Sequence, residues 1–294
     1  MDKKLSVITI CYNIKDEIER TCESIVNQTN QNFEWVVIDG GSTDGTVDIL
    51  NKYKKRIDVF VSEPDKGVYN AMNKGIKRAS GEFLNFMNGG DCFADNTVVD
   101  EFLKHNTDGI DVLYGNMNYI KEDGSIHLHT YPSTLDNLYF CFNCISHQSA
   151  FIRRSLFGKY GLYNEQQRVV SDWEKWIIFI RNRCVFSYWN RLVSQFYKGG
   201  ISSGTQLYKT ELTALINKYY TKKERHLADK QLYRWFYVYL FGAIPLLCIK
   251  VKKDDTRLML LLFNIIPLYK ITIKNGCTRH YLFGFIPFLK IKEK

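Results

Sequence analysis

Proline is scarce in this chain, with five among 294 residues, and three of the five (Pro245, Pro267 and Pro287) fall near the C-terminus. Long apolar runs are missing as well. The longest, Trp235 to Ile249, has 15 residues and contains Pro245. A membrane-crossing helix needs about 18 to 20, so no simple transmembrane segment is expected. No secretory leader pattern precedes the first apolar run, because Met1-Asp2-Lys3-Lys4 leads straight into it. The eight cysteines are scattered and several lie inside apolar runs. Reduced thiols in the cytosol are the expectation. Cys141, Cys144 and His147 lie close in sequence, but a second ligand pair at zinc-finger spacing is lacking, which argues against zinc. Glycine is absent from Cys11-Tyr-Asn-Ile-Lys15, where a phosphate loop after the first strand would want it. That argues against a nucleotidyltransferase.

Net positive charge is missing from most of the chain. The net charge of +9 comes from residues 205–294, which hold 17 Lys and Arg against 6 Asp and Glu. The rest holds 23 against 25. Two regions follow: a neutral body, 1–204, and a basic tail, 205–294. The tail repeats one unit three times, as Leu240-Phe-Gly-Ala-Ile-Pro245, Leu262-Phe-Asn-Ile-Ile-Pro267 and Leu282-Phe-Gly-Phe-Ile-Pro287. Proline forbids a continuous helix through each unit. The alternation in Lys270-Ile-Thr-Ile-Lys274 predicts strands and short hairpins after helices over Thr210–Tyr220 and Ala228–Tyr239. Lysines beside bulky apolar residues suit an anionic membrane surface, while a hydrophobic cap with solvated lysines fits the same pattern. The units are too apolar for a nucleic-acid arm.

The body alternates strands and helices. Leu5–Cys11, Phe33–Asp39, Ile57–Val61 and Glu82–Phe86 read as strands, with helices over Lys15–Gln28, Thr46–Tyr53 and Val68–Arg78. This rhythm predicts an α/β fold with a mainly parallel sheet wrapped by helices. It breaks after the fourth strand, where a hairpin turns at Asp123-Gly124. Ser171-Asp172-Trp173-Glu174 matches a capping box and starts a further helix. Gly199–Ser203 reads as a loop.

Asp91 ends the segment Asn88-Gly-Gly-Asp91 just past the fourth strand. Ligands of open α/β sheets sit outside the carboxyl ends of the strands, and a hard carboxylate there suits Mg²⁺ or Mn²⁺ shared with substrate phosphates. A solvated turn aspartate is the plainer alternative. Asp39 reads either as a nucleotide contact or as a turn residue before Gly-Gly. Asp44 shapes that loop or caps the next helix.

Four segments occur in order: Ser6-Val-Ile-Thr-Ile-Cys-Tyr-Asn13, Asp39-Gly-Gly-Ser-Thr-Asp-Gly-Thr46, Asp65-Lys-Gly-Val-Tyr-Asn-Ala-Met-Asn-Lys-Gly75 and Asn88-Gly-Gly-Asp91. Together they resemble the bacterial family 2 glycosyltransferases, over about residues 5–203. The resemblance implies a GT-A fold and an inverting enzyme with a nucleotide-sugar donor, commonly uridine-linked, and a divalent metal. It implies nucleotide contacts at Thr9, Cys11, Tyr12, Asn13, Asp39, Asp65, Lys66 and Asn70, and metal at Asp91. Asp172 would be the catalytic base. Gly90, His147, Gln148 and Trp173 would lie near the acceptor or diphosphate, and Gly199–Ser202 would close over the donor. The acceptor would be a glycan or lipid-linked glycan of a bacterial surface polysaccharide, capsule or lipopolysaccharide, made by an enzyme peripheral on the cytoplasmic membrane face. One departure stands out: the family's usual acidic residue two positions before the final Asp is Gly89 here. This keeps open an alternative, a catalytically inactive membrane-associated nucleotide-sugar binding module.

Overall fold

The structure, a computed structural model, describes residues 3–197, 206–240, 244–252, 257–262, 266–274, 277–282 and 286–292. The Gly199–Ser203 loop lies outside them. The chain forms two compact units, one ending at Tyr219 and the other starting at Tyr220.

The first unit is built on a nine-stranded sheet. Four parallel strands form one half: β1 (Leu5–Cys11), β2 (Glu34–Asp39), β3 (Val59–Ser62) and β4 (Phe83–Phe86), in the order β3-β2-β1-β4. The other half is mixed. β4 continues antiparallel to β8 (Ala150–Arg153), then come β6 (Val112–Ile120) and β9 (Phe186–Tyr197), with the short β5 (Cys92–Phe93) at the far edge. β7 (Ile126–His129) pairs antiparallel with β6 across the Asp123-Gly124 turn.

β1 and β2 are buried along their whole length, as expected for strands covered on both faces. Leu5, Val7, Trp35 and Val37 join a core with Ile18, Cys22 and Ile25 of α1 (Lys15–Val26), Leu50 of α2 (Thr46–Lys52) and Phe102 of α4 (Val98–Lys104). On the opposite face Gly75 of α3 (Val68–Arg78) rests against Ile8 and Ile38. α5 (Ser155–Tyr160), α6 (Ser171–Arg181) and α7 (Gln206–Tyr219) complete the unit. The charge break lies at 204/205, yet α7 belongs to the first unit.

Two local expectations are corrected. α6 does begin at Ser171, but no capping box forms. Ser171 Oγ accepts the Asn164 N–H at 2.6 Å, and Glu174 accepts Lys218 Nζ and Tyr219 OH of α7 at 2.8 and 2.9 Å. Tertiary partners outcompete the local cap. In the second unit, α8 spans Lys222–Leu232 and stops where the expected helix would continue. Tyr233-Arg-Trp-Phe-Tyr-Val-Tyr-Leu240 is aromatic and β-branched, and it forms β10 (Tyr233–Leu240) instead.

β10 opens a six-stranded antiparallel meander with β11 (Ile244–Lys252), β12 (Arg257–Leu262), β13 (Ile266–Lys274), β14 (Cys277–Leu282) and β15 (Ile286–Lys292). The sequence repeat becomes one hairpin used three times. Leu240 pairs with Ile244, Leu262 with Ile266 and Leu282 with Ile286. One step on, each proline faces Tyr239, Leu261 or Tyr281, and the register shifts there every time. A bulge is where a strand tolerates a residue without an N–H. By the ladder register, Lys250, Lys252, Arg257, Lys270, Lys274, Arg279, Lys290 and Lys292 occupy one set of alternate positions. Arg234, Val251, Leu258, Ile271, His280 and Leu289 form a row in the other set.

Candidate active site

The carboxyl ends of the parallel strands bring the motif residues together. β1 ends at Cys11, whose carbonyl accepts the Gly40 N–H at 2.9 Å, just past the end of β2. Asp39, fully buried at that end, is heavily hydrogen-bonded. It accepts from the backbone N–H groups of Gly41 and Ser42 at 3.1 and 3.0 Å and from the hydroxyls of Ser42 and Ser62 at 2.5 and 2.6 Å. The Cys11 thiol lies 3.7 Å from it. Burial, and then the Asp39 charge, push that thiol far up, so Cys11 stays protonated.

Gly40 is the floor of a slot. A Cβ there would stand 2.8 Å from the Asp65 carboxylate and 3.2 Å from the Tyr12 ring. Tyr12 is 60% exposed beside it. Asn13, at positive φ, ties the loops together by donating its N–H to Ser42 Oγ and accepting the Thr43 N–H. Asp44 accepts from the Thr46 hydroxyl and from the N–H groups of Lys15 and Thr46, which hold its pKa down to about 2. Lys66 is exposed, and Asn70 accepts its N–H. Asn70 also donates to Glu165, which Asn73 grips from the other side. Thr9 does not face the slot: it is fully buried, and its hydroxyl accepts Trp35 Nε1–H at 3.0 Å.

Asp91 lies beyond β4, whose exit is zipped to β1 by Met87 N–H to Ile8 O and Gly89 N–H to Ile10 O. Its carboxylate is 6% exposed and accepts Gln148 Nε2–H at 2.6 Å. Burial pushes its pKa up to about 6, against the pull of Gln148, His147 and Arg20. Gly90 carries φ of +99°, a left-handed conformation that suits glycine. Gly89 points into the core. A Cβ there would meet Ile14 Cδ1 at 2.2 Å, with Cys11 and Ile18 at 3.2 Å. The missing acid is therefore no gap in the cleft. Gly89→Asp is expected to cost about 2–3 kcal/mol by overpacking and by burying a charge, read by urea denaturation, with no gain in Mn²⁺ affinity.

Asp172, in the first turn of α6, is the second carboxylate. Tyr69 OH of α3 donates to Oδ1 at 2.8 Å, and His147 Nδ1 meets Oδ2 at 3.1 Å. Burial works against its charge, but the hydrogen bonds from His147 and Tyr69 more than offset that and hold its pKa below the usual carboxylate range. The side chain keeps 17% exposure, so a hydroxyl can reach it. His147 Nε2 lies 2.9 Å from Asn88 Nδ2. Neighbouring residues of one 3₁₀ turn, His147–Ser149, thus touch Asp172 and Asp91. Trp173 lies buried under the site, its indole N–H donating to the Phe140 carbonyl at 2.7 Å. Sequence reasoning gave no role to Tyr69, Asn88 or Glu165, although Tyr69 and Asn88 lie inside motif segments.

A model of the family described as "Glycosyl transferase family 2" matches residues 6–161. The chain belongs to glycosyltransferase family 2. This glycosyltransferase is 33% identical over 210 residues to a PGL/p-HBAD biosynthesis glycosyltransferase of Mycobacterium bovis, covering 67% of this chain and 78% of the relative. It is 41% identical over 90 residues to the putative teichuronic acid biosynthesis glycosyltransferase TuaG of Bacillus subtilis, covering 30% and 36% of the two chains. Its fold matches S. aureus TarS 1–349 in complex with UDP at a TM-score of 0.61 and 20% identity, over 77% of this chain and 69% of that one. It also matches the mannosyltransferase PcManGT from Pyrobaculum calidifontis in complex with GDP-Man and Mn²⁺, at 0.50 and 16%, over 66% and 56%. The GT-A-like α/β architecture is therefore that of the family 2 transferase.

A divalent cation is common in this family. Among the described residues no group of three or more His, Cys, Asp or Glu forms a cage. Mg²⁺-type sites seldom need one, because substrate phosphates and waters fill the sphere. Asp91 offers a carboxylate, and in the same turn Asn88 Oδ1 is buried without a hydrogen-bond partner. Hard oxygens of this kind fit Mg²⁺ or Mn²⁺.

Proposed function

We propose that this family 2 enzyme is an inverting transferase that moves a sugar from a UDP-linked donor to a glycan or lipid-linked glycan acceptor of a bacterial surface polysaccharide. The observation that carries the reading is the single turn joining Asp91 to Asp172 at the mouth of the parallel strands. The names of its relatives, in teichuronic acid and PGL/p-HBAD biosynthesis, support the product class. The UDP and UDP-GlcNAc complexes of the TarS fold relative support the donor.

In this mechanism Asp65 and Tyr12 receive the nucleoside beside the loop that buried Asp39 holds, and Lys66 stands near its phosphates. Asp91 would hold the cation, with Asn88 Oδ1 beside it. A bound divalent cation supplies charge that offsets the departing diphosphate. The acceptor oxygen attacks the anomeric carbon opposite the diphosphate. As the new C–O bond forms, the old one breaks, and its electron pair leaves with the nucleoside diphosphate. The hydroxyl proton passes to Asp172, acting as general base. A single displacement inverts the anomeric configuration and needs one base, unlike the paired carboxylates of glycosidases.

The test is a thermal-shift screen of nucleotide-sugars with and without Mn²⁺, followed by product NMR. The true donor raises the melting temperature because it binds only the folded state. Absence of any shift, or a retained anomeric configuration in the product, would overturn the reading.

The basic composition of the tail, 17 Lys and Arg against 6 Asp and Glu over 205–294, supports a working place at the cytoplasmic membrane surface. Each Lys or Arg near an anionic surface contributes about 1 kcal/mol. Among the described residues no helix is long and apolar enough to cross a membrane. The full chain is expected to co-sediment with vesicles containing anionic lipid and not with neutral ones. Lys270→Glu combined with Arg279→Glu should weaken binding about tenfold or more.

A further inference from the structure

We infer that His147 is the positioning residue of the candidate base, and that its hold on Asp172 is registered to the donor side by its neighbour Gln148. The inference rests on the reading of Asp172 as the base.

The geometry makes the turn a braced part. Gln148 is 3% exposed, and its amide orientation is fixed. Ser146 Oγ donates to Gln148 Oε1 at 2.7 Å, so the Nε2 end must face Asp91. Asn85 Nδ2 donates to the carbonyls of Gln148 and Ala150, both at 3.1 Å, and pins the turn to β4. Upstream, Tyr131 OH accepts the Ser146 N–H at 3.0 Å, and Trp176 Nε1 donates to the Ile145 carbonyl at 2.9 Å. His147 inherits this rigidity. With Asn88 Nδ2 donating to its Nε2, its Nδ1 carries the proton that Asp172 accepts. Asp172 then has one oxygen on Tyr69 and one on His147, and its carboxylate plane is set by partners from two elements. A shift of the turn on the donor side carries His147, and the base, with it.

The titratable groups facing Asp172 are Tyr69 of α3, His147, Cys144, Tyr163 and Tyr208 of α7. Of these, His147 and Tyr69 hydrogen-bond its carboxylate, at 3.1 and 2.8 Å. Removing the His147 donor therefore raises the Asp172 titration midpoint.

The test is carboxyl ¹³C NMR of Asp-labelled full-length protein. His147→Leu is expected to move the Asp172 midpoint to higher pH. His147→Asn, whose amide N–H sits near the place of Nδ1–H, is expected to restore it. Both variants should keep the wild-type melting temperature to within a few degrees. Equal midpoints in wild type and His147→Leu would overturn the inference. So would a rise that His147→Asn fails to reverse. Turnover of Asp172→Asn is measured separately. If that variant transfers sugar normally, the base assignment fails, while the NMR series still decides whether His147 governs Asp172.

Discussion

Asp91→Asn is expected to be more stable than wild type in metal-free buffer at pH 8, and at least 100-fold slower in metal-dependent sugar transfer. Both effects come from one buried carboxylate. Its folded-state pKa is raised from 3.8 to about 6, and burial is the largest cause. A carboxyl raised in this way binds its proton more tightly in the folded state than in the unfolded one. Stability is therefore lost as pH rises from about 4, and the full penalty is present above about 6. The shift of roughly two pH units corresponds to about 3 kcal/mol, which the neutral amide recovers while still accepting from Gln148. The same change removes the carboxylate proposed to hold the cation, and losing such charge stabilisation typically costs about 10²–10³ in rate. Protons and cation compete for Asp91. Wild-type activity should fall as pH drops through about 6, and excess Mn²⁺ should restore part of it. Melting curves at pH 5 and pH 8 with EDTA, and Mn²⁺ titrations at both, check each half. Loss of stability in Asp91→Asn at pH 8 would contradict the desolvation argument.

Asp172→Asn is expected to lower kcat by about 10²–10⁴, the range of a positioned general base. Mn²⁺–UDP affinity should stay within about threefold, because Tyr69 and His147, which hydrogen-bond Asp172, are not among the residues proposed to receive the nucleoside or the cation. The amide remains isosteric and can still accept from Tyr69, so folding should survive. Since His147 and Tyr69 hold the Asp172 pKa low, the base is ionised throughout the neutral range, and the acid limb near pH 6 belongs to Asp91. Steady-state rates paired with calorimetry of Mn²⁺–UDP binding separate the two effects. A variant that lost affinity and rate together would move Asp172 from proton transfer to donor binding.

The parallel half of the sheet was legible from sequence because β1 and β2 are continuous apolar runs that end in polar motif residues. The mixed half was not. β6, β8 and β9 pair over long sequence separations, which no local pattern records. The same limit applies at Ser171-Asp172-Trp173-Glu174, where the helix start was visible but the partners of Ser171 and Glu174 come from 164 and 218–219. Thr9 lies within a motif, yet a strand sends alternate side chains to opposite faces, and Trp35 takes its hydroxyl. Tyr233–Tyr239 falls inside the helix expected over Ala228–Tyr239 because its apolar residues are dense enough to fit either period. The β-branched and aromatic content was the better guide.

The tail hairpins have a consequence for descent. Successive prolines are 22 and 20 residues apart, both even spacings, and each unit re-enters the ladder through the same Leu–Ile pair and the same register slip. A gene segment encoding one unit can be duplicated or deleted without turning the neighbouring strands over. Each added copy would bring two more strands that re-enter the ladder in step with the rest.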